Sequence, residues 1–137
     1  MGIVYAKLKL LNAIDVGLFK RGMLEEDKIR QADVNALVDS GASTIAVPTR
    51  LAIQLGLDHV RFTEAELANG DSQKVEVVGP VEIRFENRVC ALNALVLGNE
   101  VLLGSIAMED MDVLIDPKRQ KLIVNPESPY LPKMLVK

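Results

Sequence analysis

The eight residues Ala36-Leu37-Val38-Asp39-Ser40-Gly41-Ala42-Ser43 constrain this chain more than any other stretch. An apolar run leads directly into an acid, and the acid directly into small residues. The run reads as a buried strand, and Gly41 and Ala42 read as a tight loop that another backbone can approach closely. Asp39 is therefore expected at the end of a core strand. A buried carboxylate is costly unless it is hydrogen-bonded, paired or put to use. The pattern occurs once, so chemistry that needs two such acids requires two chains.

Composition sets the frame. A chain of 137 residues suits one domain. Hydrophobic residues make up 49% and aromatics only 4%, so Val, Leu, Ile and Ala must fill the core. The net charge of −3, the lack of a basic tract and the few aromatics argue against a nucleic-acid partner. Cys90 is the single cysteine, which excludes an intrachain disulfide and favours a reducing compartment. The start, Met1 to Lys7, lacks the pattern of a signal peptide, and Ala6 argues against myristoylation of Gly2. The longest uncharged run, Val89 to Asn99, holds 11 residues, whereas a spanning helix needs about 20. The expectation is a soluble cytoplasmic protein with no membrane partner.

Periodicity along the chain reads as short strands with frequent turns. Val4, Ala6, Leu8 and Leu10 alternate with Tyr5, Lys7 and Lys9 as a first strand. Asn12 to Glu26, with Asn12, Asp15, Gly17 and Gly22, reads as a loop or wide hairpin. A second strand runs to Val38. A short helix follows, with Pro48 in its first turn and Gly56 at its C-terminal cap. Asn69-Gly70-Asp71 is a strong turn signal between two strand-like runs, the second bent at Gly79-Pro80. Strands at Arg88–Leu97, Val113–Ile115 and Lys121–Asn125 and a helical piece at Ile106–Met111 complete the pattern, which predicts an all-β barrel. Residues 126–137 hold three prolines and read as an extended tail after a domain spanning 1–125. The order apolar run, small-residue loop, helix occurs at Asp39-Ser40-Gly41 and again at Leu103-Gly104-Ser105, which suggests two similar halves.

At these residues the chain resembles the retroviral-type (retropepsin-like) aspartic peptidases, and more closely their single-domain bacterial and archaeal relatives. Three features carry the resemblance. Leu37-Val38-Asp39-Ser40-Gly41-Ala42 matches the family's apolar-apolar-Asp-Ser/Thr-Gly-Ala/Ser motif. Ala68-Asn69-Gly70 stands where the family has the tip of its flap hairpin. Leu102-Leu103-Gly104 matches the apolar-apolar-Gly before the family's helix, 63 residues after Gly41. The resemblance covers roughly Ile3 to Asn125. The chain departs from the viral enzymes at Ser105, where they have Arg, at Ser40, where Thr is usual, and in having a single glycine at the flap tip.

The resemblance implies a closed acid-protease barrel with a flap, a homodimer, and a peptide or protein substrate. Asp39 would be the catalytic acid, one from each chain. Ser40, Gly41 and Ala42 would form the active-site loop, Ala68, Asn69 and Gly70 the substrate-covering flap, and Leu103 and Gly104 the structural motif of the second half. No metal and no cofactor is implied. A catalytically silent, peptidase-like dimer that binds peptides or serves as an interaction module is the alternative. The two chain ends, Val4 to Leu10 and Leu122 to Val136, are candidates for the dimer contact.

Other residues read as background. His59 lacks a second histidine or a cysteine for zinc and reads as a surface turn residue. Glu109, Asp110, Asp112 and Asp116 lack the glycine and terminal Glu of a calcium loop and read as solvated surface. Cys90 lies in an apolar strand and reads as core. Ser40 and Ser43 have no placed histidine base, which makes a serine hydrolase improbable.

Overall fold

A computed structural model describes residues 2–136. Strand β1 (Tyr5–Asn12) buries Ala6, Leu8 and Leu10 and exposes Tyr5 and Lys7, as its alternation predicts. It pairs antiparallel with β2 (Gln31–Val38) along its length, from Tyr5 opposite Leu37 to Leu11 opposite Gln31. Its other edge takes the far end of β5 (Ser72–Phe85), with Lys9 opposite Arg84 and Asn12 opposite Val81. That second pairing closes the sheet. The order is β1-β2-β7-β3-β6-β5, with β1 returning to β5 and β4 (Asp58–Glu66) attached to the outer edge of β5. Strands β3 (Ile45–Val47), β6 (Arg88–Val96) and β7 (Leu102–Leu103) complete the barrel. A two-stranded antiparallel sheet, β8 (Val113–Asp116) with β9 (Lys121–Val124), stands apart. The fold is the predicted all-β, retropepsin-like barrel. Leu10, Ile45, Val81, Ile83 and Leu103 are sealed in its core.

The helices are short. Helix α2 (Thr49–Gln54) begins after Pro48 and stops at Gly56, whose φ of 61° suits a glycine. Helix α3 is Ser105–Met111. Helix α1 (Ala13–Lys20) corrects the expectation of a loop over 12–26. Asn12 reads in isolation as a turn residue, yet it caps α1. Its Oδ1 accepts from the backbone amides of Ile14 at 3.0 Å and Asp15 at 3.1 Å. Its Nδ2 donates to the carbonyls of Leu55 at 2.9 Å and Gly56 at 3.2 Å, so one buried side chain joins the start of α1 to the end of α2. Asp15 then accepts a forked pair from Arg30, at 2.8 and 3.0 Å. The guanidinium bonds hold the Asp15 carboxyl below its ordinary range. Gly56 leaves room for that guanidinium, because a Cβ there would overlap Arg30 Nη1.

The segment after β9 turns at once, with the Ser128 amide donating to the Asn125 carbonyl at 3.0 Å. It is then strapped to Asp112. The Asp112 carboxylate accepts from the Ser128 hydroxyl, from Asn125 Nδ2 at 3.0 Å and from the Lys133 amide at 2.9 Å. Arg88, sealed beneath, donates to the Ser128 carbonyl. Asp112 is therefore half-buried and engaged, not the solvated acid expected of it. Beyond the strap, Met134, Leu135 and Val136 are exposed. Among the described residues no helix is long and apolar enough to cross a membrane.

Two outcomes follow from these polar hubs. Asn12→Ala loses a helix cap and leaves buried carbonyls unpaired, and is expected to cost about 2–3 kcal/mol by chemical denaturation. The bonds from Ser128 first, then those from Asn125 and Lys133, hold Asp112 at about 2, below its ordinary 3.8. A carboxylate depressed on folding contributes stability above its unfolded value and loses it as pH falls toward the folded one. The stability gap between wild type and Asp112→Asn should be full at about pH 6 and should close on acidification from about pH 4 to 2. A gap that stays constant over that range would show that the strap does not depend on the charge.

Candidate active site

The apolar residues before Asp39 make a strand because they are needed inside. Ala36 and Val38 face the core of the barrel. Strand β2 lies parallel to β7, with Leu37 opposite Leu102 and Val38 opposite Leu103. The pairing continues one step past the strand, where the Asp39 amide donates to the Leu103 carbonyl at 2.9 Å. The two apolar runs that echo each other in the sequence thus lie side by side.

The loop after Asp39 is held from within and from below. The Ala42 amide donates to the Asp39 carbonyl at 3.1 Å, and the Gly41 amide donates to Asp39 Oδ1 at 2.9 Å. A Cβ on Gly41 would stand 3.2 Å from that oxygen, so glycine lets the amide reach the carboxylate. Below, Gly104 packs against the loop backbone. A Cβ there would overlap the Thr44 carbonyl oxygen and come within 2.7 Å of that of Ala42. The first amides of α3 then find partners in the same loop: Ser105 donates to the Ala42 carbonyl at 2.8 Å and Ile106 to that of Ser43 at 3.0 Å. Groups that a helix start leaves unpaired here brace the segment that carries Asp39.

Asp39 and Ser40 are exposed in the single chain, which corrects the expectation of a buried carboxylate. The strand is buried up to Val38, and the loop lifts the acid out of the core at the next residue. Leu103 and Gly104 are buried beneath it. The structure therefore brings Asp39, Ser40, Gly41 and Ala42 together with Leu103 and Gly104.

Ala68, Asn69 and Gly70, expected as the flap, sit at the tip of the β4–β5 hairpin. Gly70 takes a φ of 89°, and Asn69 Oδ1 accepts from the Asp71 amide at 2.9 Å. The hairpin has two distinct faces. Arg61 lies opposite Val77 and Thr63 opposite Val75, and both valines are buried, so Arg61 and Thr63 share the inner face. Phe62, Glu64, Lys74 and Glu76 take the outer face, with Lys74 Nζ 4.5 Å from the centre of the Phe62 ring. A β-bulge between His59 and Arg61 sets this alternation.

Between the inner face and the Asp39 loop lies a cleft of about 680 Å³. Gly41 to Thr44 form one end, Leu92 and Leu95 lie along the barrel, and Ile106 of α3 closes one side. Neither the Asp39 side chain nor the tip residues Ala68, Asn69 and Gly70 line it in the single chain. Gly41 and Ala42 of the cleft were expected site residues, and sequence reasoning missed the others. The signal for Arg61 was the run Arg61, Thr63, Ala65, Leu67 at every second position, which becomes legible once the bulge is known.

The background residues fall into place. His59 lies in β4 rather than on a turn, with Nδ1 2.7 Å from Glu76 Oε2 on the outer face. Cys90 is buried. Desolvation first, and the Asp110 and Glu82 carboxylates after it, push its thiol up to about 12, which removes the thiolate a nucleophile needs. Among the described residues no three His, Cys, Asp or Glu side chains converge as metal ligands would.

Residues 27–119 match a family described as "gag-polyprotein putative aspartyl protease". No curated protein matches the chain. Among solved structures, the retroviral protease-like domain of Ddi1 from Leishmania major superposes with a TM-score of 0.57 at 18% identity. The match covers 92% of this chain and 90% of that one, and at this identity it is a likeness of fold. A retropepsin-like aspartic protease from Rickettsia conorii matches at a TM-score of 0.49 and 21% identity, over 82% of this chain and 75% of that one. The EIAV protease, complexed with an inhibitor, matches at 0.46 and 24%, over 61% and 82%.

The contact beneath the loop can be tested with two glycines. Gly104→Ala must displace backbone, and is expected to cost about 1–3 kcal/mol. Gly17→Ala, in α1 with nothing within 4 Å of the added Cβ, is expected to stabilise by about 0.5–1 kcal/mol. Thermal denaturation of the two variants beside wild type reads both signs.

Proposed function

The chain belongs to the gag-polyprotein aspartyl protease family, and within it we propose an aspartic endopeptidase whose active site forms when two copies place their Asp39 side chains together. The observation that carries the proposal is the presentation of Asp39. A braced loop ends a core strand, one carboxylate oxygen is held by the Gly41 amide, and the side chain stands open to solvent beside a peptide-sized cleft.

Two carboxylates brought close across a two-fold axis share one proton, because both cannot ionise cheaply. The ionised Asp39 takes a proton from a water held between the pair. The protonated Asp39 donates to the scissile carbonyl and stabilises the oxyanion as it forms. Gly41 and Ala42 add little bulk to the floor, and the Gly41 amide keeps the carboxyl from rotating. Ser40, beside the acid and exposed, would bond across the dimer. The hairpin tip at Ala68, Asn69 and Gly70 closes over an extended substrate, whose backbone pairs with the flap and excludes bulk water. The apolar wall at Leu92, Leu95 and Ile106 favours apolar side chains near the cut. Residues 126–137 are proposed as a tail appended to the peptidase domain of 1–125, strapped to it as far as Lys133, with the exposed Met134, Leu135 and Val136 available to the dimer contact. Strand β1 is less available, being paired to β2 throughout and to β5 at one end.

A dimeric peptide-binding module without turnover uses the same cleft. The position of Asp39 outside the cleft walls of a single chain favours it. Digestion of a peptide library from about pH 4 to 7 separates the readings, with wild type and Asp39→Asn compared. The peptidase reading expects cleavage by wild type alone, blocked by a statine-type transition-state mimic, with the variant still dimeric. Binding of peptides by both proteins without cleavage would favour the module, and cleavage by both would remove Asp39 from the mechanism.

A further inference from the structure

The cleft beside the Asp39 loop contains a cation that the fold does not use. Arg61 projects from the inner face of β4, where its neighbours along the strand are Thr63 and Ala65 and its cross-strand partner is the buried Val77. Among the described residues it makes no ion pair with a protein carboxylate, as Arg21 and Arg50 also do not, and among the described arginines it is the one that borders this cleft. Two carboxylates, Glu64 and Glu66, border the same cleft. Both lie at exposed positions of the hairpin's other face, where Glu64 stands opposite Lys74 and Glu66 opposite Ser72. The inner face therefore offers one guanidinium above a wall of Leu92, Leu95 and Val77.

We infer that Arg61 is a specificity-determining residue, which selects peptides carrying an acidic side chain at a subsite flanking the apolar residues at the cut. This rests on the peptidase reading and adds the substrate class to it. A substrate strand running under the hairpin presents alternate side chains to the inner face. One that reaches Arg61 finds a planar, permanently charged donor suited to a carboxylate. A basic side chain at the same place meets like charge, weakened by water because Arg61 is exposed. In a two-fold dimer each half offers one Arg61, so the preference appears on both sides of the scissile bond.

The test uses a set of cleavable peptides that differ only in bearing Glu, Gln or Lys at each flanking position. Wild type, Arg61→Ala and Arg61→Glu are compared by the ratio of kcat/KM for the Glu and Lys peptides. The expected result is a wild-type preference for Glu of about two- to fivefold at its best position, the size of a partly exposed charge pair, shrinking with added salt. Arg61→Ala abolishes the ratio and Arg61→Glu inverts it. Equal cleavage of Glu and Lys peptides by wild type, or a preference that survives in Arg61→Glu, overturns the inference and leaves the peptidase standing. Failure of wild type to cleave any peptide overturns the peptidase reading and the inference with it.

Discussion

The parallel contact between β2 and β7, extended into the Asp39 loop by Gly104 and the first turn of α3, is the constraint on which the rest of the site depends. A loop of small residues has little side chain with which to anchor itself. Here its position against the barrel and α3 is set by backbone bonds: Asp39 to Leu103, Ser105 to Ala42, and Ile106 to Ser43. Those bonds require two main chains to approach more closely than any Cβ permits, and Gly104 meets the requirement with an ordinary φ of −96°. The glycine serves for lack of bulk, not for backbone freedom. Gly70 serves the opposite need, at a φ of 89° with nothing within 4 Å of an added Cβ, and Gly56 serves both needs at once.

Rigidity beneath Asp39 and openness above it belong together. In a single chain the carboxylate stays in water, so folding avoids the cost of burying an unpaired charge. On the proposed reading the burial happens later, when a second copy covers the acid and the two share a proton. The barrel can then be stable alone while its chemistry waits for assembly. The exposed Ile106, which follows Ser105 at the rim of the loop, adds apolar surface to the face where a second copy would approach.

Legibility in the sequence followed the range of the determining interactions. The strand before Asp39, the turn at Asn69-Gly70, the short helix between Pro48 and Gly56 and the run before Gly104 were readable because local periodicity and turn chemistry decide them. Helix α1 was not. Asn12 and Gly17 argue locally for a loop, and the helix is held by bonds to Leu55, Gly56 and Arg30 that lie far along the chain. Asp112 was misread for the same reason, since its partners Ser128 and Lys133 follow in a tail that carries no periodic signal. The exposure of Asp39 was misjudged because the reading stopped at the strand, one residue before the chain leaves the core. Arg61 was hidden by a bulge, which shifts alternation by one position and exchanges the two faces of a strand.

The polar residues divide into two sets that do not mix. Asn12, Asp15 with Arg30, and Asp112 with Arg88 are engaged in satisfying helix ends and the strap after β9, and none of them lines the cleft. Inside the cleft the loop backbone is already bonded to Asp39 and to the first turn of α3, and it is the Arg61 side chain that has no ion-pair partner among the described residues. The side chains of Thr63, Asn93 and Arg61 face a space bounded otherwise by aliphatic side chains and, on the hairpin side, by Glu64 and Glu66. A group already satisfied within the protein gains little from a ligand, whereas an unspent one gains the full difference between water and partner. Recognition can therefore change along β4 without disturbing the hubs that hold the barrel. The strand that carries Arg61 is also the one attached to the barrel by a single edge. Its side chains are thus the least constrained by packing and the most open to being shaped by what binds.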